Sequence, residues 1–186
     1  MNRQQIEAAL GTAVSDVAPL SGGCVGQVYL LTLADKRQVV AKVDDHPHSS
    51  LAREGFMLRF LAQHSSLPVP AVLYEAEGLL VMAYLPGESH FTARGQEHAA
   101  ELLASLHQLT AASYGFEQDT LIGGLHQPNL WMPTWLDFFR ERRLLYMGEE
   151  GVRSRRLPAP VLRRLGRFCE RLDKWLVEPE RPSLIH

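Results

Sequence analysis

What the sequence has little of narrows it first. Its 186 residues contain two cysteines, Cys24 and Cys169, which is too few for a disulfide framework and fits a reducing cytoplasm. No apolar run reaches the length that spans a bilayer. Neither sign of charge is in excess: 19 Lys and Arg against 21 Asp and Glu leave a net charge of −2, so nothing in the composition asks for nucleic acid or anionic lipid. The opening "MNRQQIEAALG" is amphipathic and lacks the make-up of a signal peptide, so secretion is not expected. The eight histidines show no ligand spacing, and His46 and His48 merely flank a proline in a loop. Internal repeats and low-complexity segments are absent. The 46% of hydrophobic residues is enough to build a core, in one domain or two small lobes.

The patterning along the chain changes twice. Asn2 is placed to cap a short helix ending at Leu10, with Gly11 as its stop. Between residues 14 and 43, "VSDVAPL", "VGQVYLLTL" and "RQVVAKV" are separated by "SGG" and "ADK", the signature of a β-meander. "SLAREGFMLRFLAQ" spaces Leu51, Phe56, Phe60 and Leu61 as a helix, which "SSLPVP" ends. "AVLYEA" and "LLVMAYL" read as two more strands turning at Glu77-Gly78. Strands, one helix, then strands predict an α+β fold whose antiparallel sheet carries a helix. A shift in composition near residues 83–91 marks a boundary, after which the chain reads helical. "TARGQEHAAELLASLHQLT" sets Ala99, Leu102, Leu103, Leu106 and Leu109 on one stripe, residues 111–132 look irregular, and helices are expected over "TWLDFFRERRLLYM" and "APVLRRLGRFCERLDKWL". The closing "PSLIH" reads as a strand begun after Pro182 and halted in mid-run.

Three features carry chemistry. "LSGGCVGQVYLL" places a glycine turn between strands, where backbone N–H groups can approach a ligand closely because no Cβ intervenes. Alone, two glycines in a hairpin are a turn and no more. "VVAKV" sets Lys42 in an apolar strand, either on an edge and pointing to water, or aimed inward at an anion. An inward lysine needs a carboxylate, and the next helix offers Glu54, which read by itself is an exposed first-turn residue. The order of glycine hairpin, strand lysine and helix glutamate is that of the phosphate-binding lobe of the protein kinases.

Further motifs carry a resemblance over essentially the whole chain. "LLVMAYLPG" resembles the hinge strand of kinase-like phosphotransferases, and "LLASLHQLT" a helix of the aminoglycoside phosphotransferase and fructosamine kinase group. "YGFEQDTLIGGLHQPNLWMPTWLDFFRERRL" is similar to the fructosamine (ketosamine-3) kinase family. The resemblance implies a protein-kinase-like two-lobed fold, with a nucleotide-binding β-rich lobe at 1–85 and an incomplete helical lobe at 86–186. It implies an ATP-dependent enzyme that phosphorylates the sugar of glycated amines, free or protein-bound, in a deglycation repair. In that family the segment matching "PSLIH" continues into Gly-Asp-Leu-Trp-x-Gly-Asn, where the aspartate is the catalytic base and the asparagine helps hold Mg2+. His186 then enters the catalytic loop, the base lies two residues past it, and the metal ligands lie beyond; residues 1–186 are expected to contain no metal ligand and to be inactive alone.

By the same resemblance Gly22, Gly23 and Gly26, with Cys24 among them, fold over the ATP phosphates, Lys42 contacts phosphate oxygens and Glu54 orients Lys42. Met82 backs the adenine pocket, and main-chain groups near Ala83, Tyr84 and Leu85 face the adenine edge. "SGGCVGQV" departs from the protein-kinase glycine pattern, and Ala83 stands where the family often has an acidic residue. Cys24 is either a quiet small residue or, in positive potential, a thiol that favours thiolate and whose oxidation would block nucleotide. A monomer is expected, with a redox-linked dimer through Cys24 as the variant. Gln127, Asn129 and Trp131 either shape the substrate region or staple a packed loop. The seven arginines from Arg153 to Arg171 alternate with Leu and Phe as a solvated face, and Trp131, Trp135 and Trp175 are expected to pack in a core or between the lobes. The rival readings are a small-molecule kinase for an aminoglycoside, choline or homoserine, and a non-catalytic module that binds a nucleotide or a partner.

Overall fold

The computed structural model describes residues 2–20, 26–46, 49–87, 90 and 92–185. The chain divides into two compact units, one made of residues 1–106 with 121–125 and the other of 107–120 with 126–186.

The first unit opens with α1 (Arg3–Leu10), capped by the Asn2 side chain, which accepts from the Gln5 N–H at 3.2 Å, and stopped by Gly11. β1 (Val14–Pro19), β2 (Gln27–Leu33) and β3 (Gln38–Val43) follow, then α2 (Leu51–His64), β4 (Val72–Ala76) and β5 (Leu79–Ala83). The five strands form one antiparallel sheet in the order β1-β2-β3-β5-β4. Alternation, shifted once in β1 between Val14 and Asp16 and once in β4 between Val72 and Tyr74, divides its side chains between two faces. Leu31, Leu33, Val39, Ala41, Val43, Leu79 and Val81 point one way and bury against Ile6 of α1 and Val14. Leu80 and Met82 point the other way, with Val40, and bury against Leu51 and Leu58 of α2. Each Leu, Val, Ile or Met side chain that is fully buried here contributes roughly 1.5–3 kcal/mol, which is what holds the two helices on opposite faces. α1 also completes the start of β1: the Val14 N–H donates to the Glu7 carboxylate at 2.8 Å and Arg3 donates to the Val14 carbonyl. α3 (Ala93–Leu106) closes the unit, burying Leu106 and half-burying Leu102 and Leu103 from the expected stripe.

After α3 the segment expected to be irregular contains two short strands, β6 (Thr120–Ile122) and β7 (Leu125–Gln127). Three-residue strands leave too little alternation to read from sequence. The helix expected over "TWLDFFRERRLLYM" runs further, as α4 (Trp135–Phe139), a π-helical stretch (Arg140–Leu145) and α5 (Tyr146–Arg153) in direct succession. Its N-terminus is capped twice. Thr134 accepts from the Asp137 N–H, and the Glu178 carboxylate accepts from the N–H groups of Trp135 and Leu136 at 2.8 and 3.0 Å. The last expected helix is shorter than its periodicity suggests: α6 (Ala159–Cys169) gives way to a 3-10 turn (Leu172–Lys174). "PSLIH" does not form a strand; Ser183 bridges Thr110 and the Leu184 N–H reaches the Leu109 carbonyl at 2.8 Å.

The tryptophans divide. Trp135 is half-buried, its ring 5.2 Å from that of Phe139, as expected. Trp131 and Trp175 are 46% and 71% exposed; Trp175 follows the 3-10 turn and stacks on Phe168 along the outer side of α6, so neither belongs to a core. The seven arginines from Arg153 to Arg171 all lie exposed.

Candidate functional site

Lys42 is not on an edge. β3 is the middle strand of five, flanked by β2 and β5, so the edge reading of this lysine is excluded. Val39, Ala41 and Val43 take the α1 face, and alternation therefore sends Lys42 to the α2 face, beside Val28 of β2 and Leu80 of β5. α2 places Glu54 in its first turn above it, and the Lys42 Nζ lies 2.6 Å from the Glu54 Oε1. The two side chains keep 21% and 29% of their exposure, so the ion pair is neither sealed nor free in solvent. A pair in this setting is worth more than the 0–1 kcal/mol of an exposed one and less than the several kcal/mol at stake in a buried one. The ammonium has three N–H donors and, among the described residues, spends one on Glu54, which leaves two for an anion.

The surroundings are graded. On the same face, Val28 and Leu30 of β2 are half-buried, and Met82 is 6% exposed opposite Val40. At the end of β5 the Ala83 N–H is already given to the Ala71 carbonyl at 2.8 Å and, just past it, the Tyr84 N–H to the Gln38 carbonyl at 3.4 Å, while Leu85 is 49% exposed. Gly26, at the entry to β2, has φ +72°, and a Cβ there would come within 2.5 Å of the Val43 carbonyl oxygen, so only glycine fits. Gly22, Gly23, Cys24 and His186 lie outside the described residues. Asp44, which no sequence pattern singled out, is 5% exposed just after Lys42's strand, and its carboxylate accepts from the His46 N–H at 3.2 Å.

The residues from "LHQPNLW" come together differently. Asn129 is 3% exposed and every polar group of its side chain is engaged by the chain itself. Its amide donates to the Gln118 carbonyl and the Thr120 hydroxyl at 3.0 and 2.8 Å, and its Oδ1 accepts from Arg143 at 2.6 Å. Gln127 accepts from Thr120 at 3.3 Å. Gly115 is held beneath this loop at φ +151°, where a Cβ would lie 2.8 Å from both the Asn129 carbonyl oxygen and the Trp131 Cα. Burial pushes the Arg143 guanidinium down, and the charge of Asp119 opposes it. Asp119 also anchors the loop: its carboxylate accepts from the Asn129 N–H at 2.8 Å and lies 2.9 Å from His126 Nε2, whose other ring nitrogen is 2.8 Å from the Tyr146 hydroxyl. For Asn129 the arrangement favours the staple over the substrate contact. Among the described residues no group of three or more His, Cys, Asp or Glu could hold a metal ion, and no helix is long and apolar enough to cross a membrane.

Known proteins share this architecture. A crystal structure of a candidate fructosamine-3-kinase from Thermobifida fusca superposes with a TM-score of 0.84 at 28% identity, covering 100% of this chain and 65% of the other. A macrolide 2'-phosphotransferase of type I, 15% identical, gives a TM-score of 0.56 over 98% of the chain and 62% of its own, which shows the shared protein-kinase-like phosphotransferase fold. A Synechocystis protein named a probable ketoamine kinase is 29% identical over 150 residues, 77% of this chain and 50% of its own length. The chain thus spans about half the length of that curated relative. All of residues 1–186 match the fructosamine kinase family, and the chain belongs to it.

Proposed function

We propose that residues 1–186 form the nucleotide-binding part of an ATP-dependent ketosamine kinase, which transfers the γ-phosphoryl group to a sugar hydroxyl of a glycated amine. The observation that carries this reading is the Lys42–Glu54 pair, 2.6 Å long, on the middle strand of the sheet in a chain of this family. Lys42, oriented by Glu54, gives its two remaining N–H donors to phosphate oxygens. Val28 and Leu30, half-buried on the same face, offer apolar surface to the nucleotide, and Met82 backs the base. Because the N–H groups of Ala83 and Tyr84 are committed within the sheet, the main-chain donor to the adenine edge falls to Leu85.

ATP supplies the phosphoryl group; what the chain supplies is position and charge. Such catalysis rests mainly on holding the reacting groups in line and stabilising charge on the transferred group. The residues described here fit the nucleotide and not the metal. The Mg2+ ligands and the base that the family resemblance implies follow the match to His186, so residues 1–186 on their own are proposed to bind nucleotide without transferring phosphate.

The test pairs two proteins: residues 1–186, and the same chain extended by the downstream reading frame. Each is offered ATP and Mg2+ with a fructosamine, a ribulosamine, an aminoglycoside and choline. The proposal expects phosphorylation of a ketosamine by the extended protein alone. Turnover of an aminoglycoside or choline in preference to both ketosamines would overturn the substrate class.

A further inference from the structure

The row of side chains that holds Lys42 continues across the sheet to a second charged residue. Val28 on β2, Lys42 on β3, Leu80 on β5 and Glu75 on β4 stand opposite one another in successive pairs, so all four project from one face. α2 crosses this row and matches both charges. Glu54 meets Lys42 at 2.6 Å, and Arg59, one and a half turns on, donates to the Glu75 Oε2 at 2.7 Å. The sheet presents plus then minus and the helix minus then plus. A slide or rotation of α2 that exchanged partners would set Arg59 toward Lys42 and Glu54 toward Glu75, both repulsive.

Between the two pairs lies Gly55, buried in the helix. A Cβ there would stand 2.3 Å from the Glu75 Oε2 and 3.2 Å from the Leu80 Cδ1. Glycine inside a helix weakens it, so the position has a local cost. What it provides is room: the Glu75 carboxylate lies in the space a side chain at 55 would fill.

We propose that the Arg59–Glu75 pair, seated in the space left by Gly55, is a positioning device that holds α2 where Glu54 reaches Lys42. Arg59 and Glu75 keep 45% and 26% of their side-chain exposure, so the pair biases the helix by a modest factor, about two- to fivefold. Its consequence for nucleotide rests on the function proposed above; its effect on the Lys42 amine does not.

The experiment follows both. The variants are Glu75→Gln, Arg59→Gln, Gly55→Ala, the charge swap Arg59→Glu with Glu75→Arg, and Gly55→Ala combined with Glu75→Gln. The first readout is the rate at which an amine-reactive ester acylates Lys42 without nucleotide, read by peptide mass spectrometry against Lys36 and Lys174 in the same molecules. The second is the Kd for ATP. Each single variant is expected to speed Lys42 acylation about two- to fivefold and weaken ATP by a similar factor, with Lys36 and Lys174 unchanged. The swap should restore both, and Gly55→Ala should add nothing once Glu75 is Gln. A purely structural role for Gly55 predicts the reverse, since alanine would firm α2 and slow acylation. Wild-type acylation in Glu75→Gln and Arg59→Gln, with circular dichroism unchanged, would overturn the proposal. Acylation that responds while ATP affinity does not would support the positioning device and refute the assignment of Lys42 to nucleotide.

Discussion

Asn129 allows the sharpest perturbation, because two roles for it predict opposite results. The substitution is Asn129→Ala. In the structure the side chain is 3% exposed and makes three hydrogen bonds, two given to Gln118 and Thr120 and one taken from Arg143 at 2.6 Å. Removing it leaves a main-chain carbonyl and part of a half-buried guanidinium without this partner, at about 1–3 kcal/mol for each stranded group. Arg143 keeps its bond to the Pro128 carbonyl at 2.9 Å and its place over the Phe138 ring, which limits the loss. Thr120 keeps the bond that its hydroxyl already donates to Gln127 at 3.3 Å. The expected cost is about 2–4 kcal/mol, a large part of the stability of a small domain. Urea denaturation of residues 1–186, followed by tryptophan fluorescence, reads it as a lower midpoint at constant slope. Arg143→Met should lose a similar amount, and the double variant should lose less than the sum, since both remove the same bond. A loss below about 0.5 kcal/mol, typical of a surface position, would refute the staple and return Asn129 to the substrate region.

Other consequences are as direct. Gly115→Ala should destabilise by several kcal/mol or abolish soluble expression, because backbone atoms stand 2.8 Å from the new Cβ, whereas Gly123→Ala, with nothing within 4 Å, should cost only the strain of its positive φ. The hydrogen bond from Thr134 and the charge of Arg140 hold the Asp137 carboxyl below its ordinary range. A carboxyl depressed on folding stabilises above its unfolded value and loses that contribution as pH falls through the folded one. Below about pH 4, Asp137→Asn should therefore show a flatter loss of stability than wild type, and equal slopes would contradict the assignment. Burial pushes the Cys169 thiol up, and the residue is 2% exposed, so iodoacetamide at neutral pH should modify Cys24 first; equal rates would deny Cys24 any activation.

Much of the first unit was legible in the sequence because its signals are local. Runs rich in Val, Leu and Tyr between turn residues marked all five strands, and the cap at Asn2, the stop at Gly11 and the prolines after Ser66 bounded the helices. Lys42 and Glu54 were recognisable by their order along the chain. What sequence does not decide is which strands flank which: it is the pairing of β5 with β3 that takes Lys42 off the edge. The Arg59–Glu75 pair was invisible for the same reason, since its partners are sixteen residues apart and meet only through the register of β4 on β5. After α3 the failures were of period. Three-residue strands, a π stretch at Arg140–Leu145 and a helix that breaks at Cys169 all depart from clean 2.0 or 3.6 repeats. Size favours burial only when packing partners face the ring: Trp135 is half-buried, whereas Trp175 stays 71% exposed while stacking on Phe168.

The most direct measurement is the affinity of residues 1–186 for ATP, by calorimetry, in wild type and Lys42→Met, with circular dichroism and urea midpoints taken on both. A hydrogen-bonded charge contact to phosphate is worth about 1.5–3 kcal/mol, so the account predicts binding by the wild type and a loss of at least about tenfold in the variant, with the fold retained. Equal affinity in two well-folded proteins, or no binding by either, would contradict it.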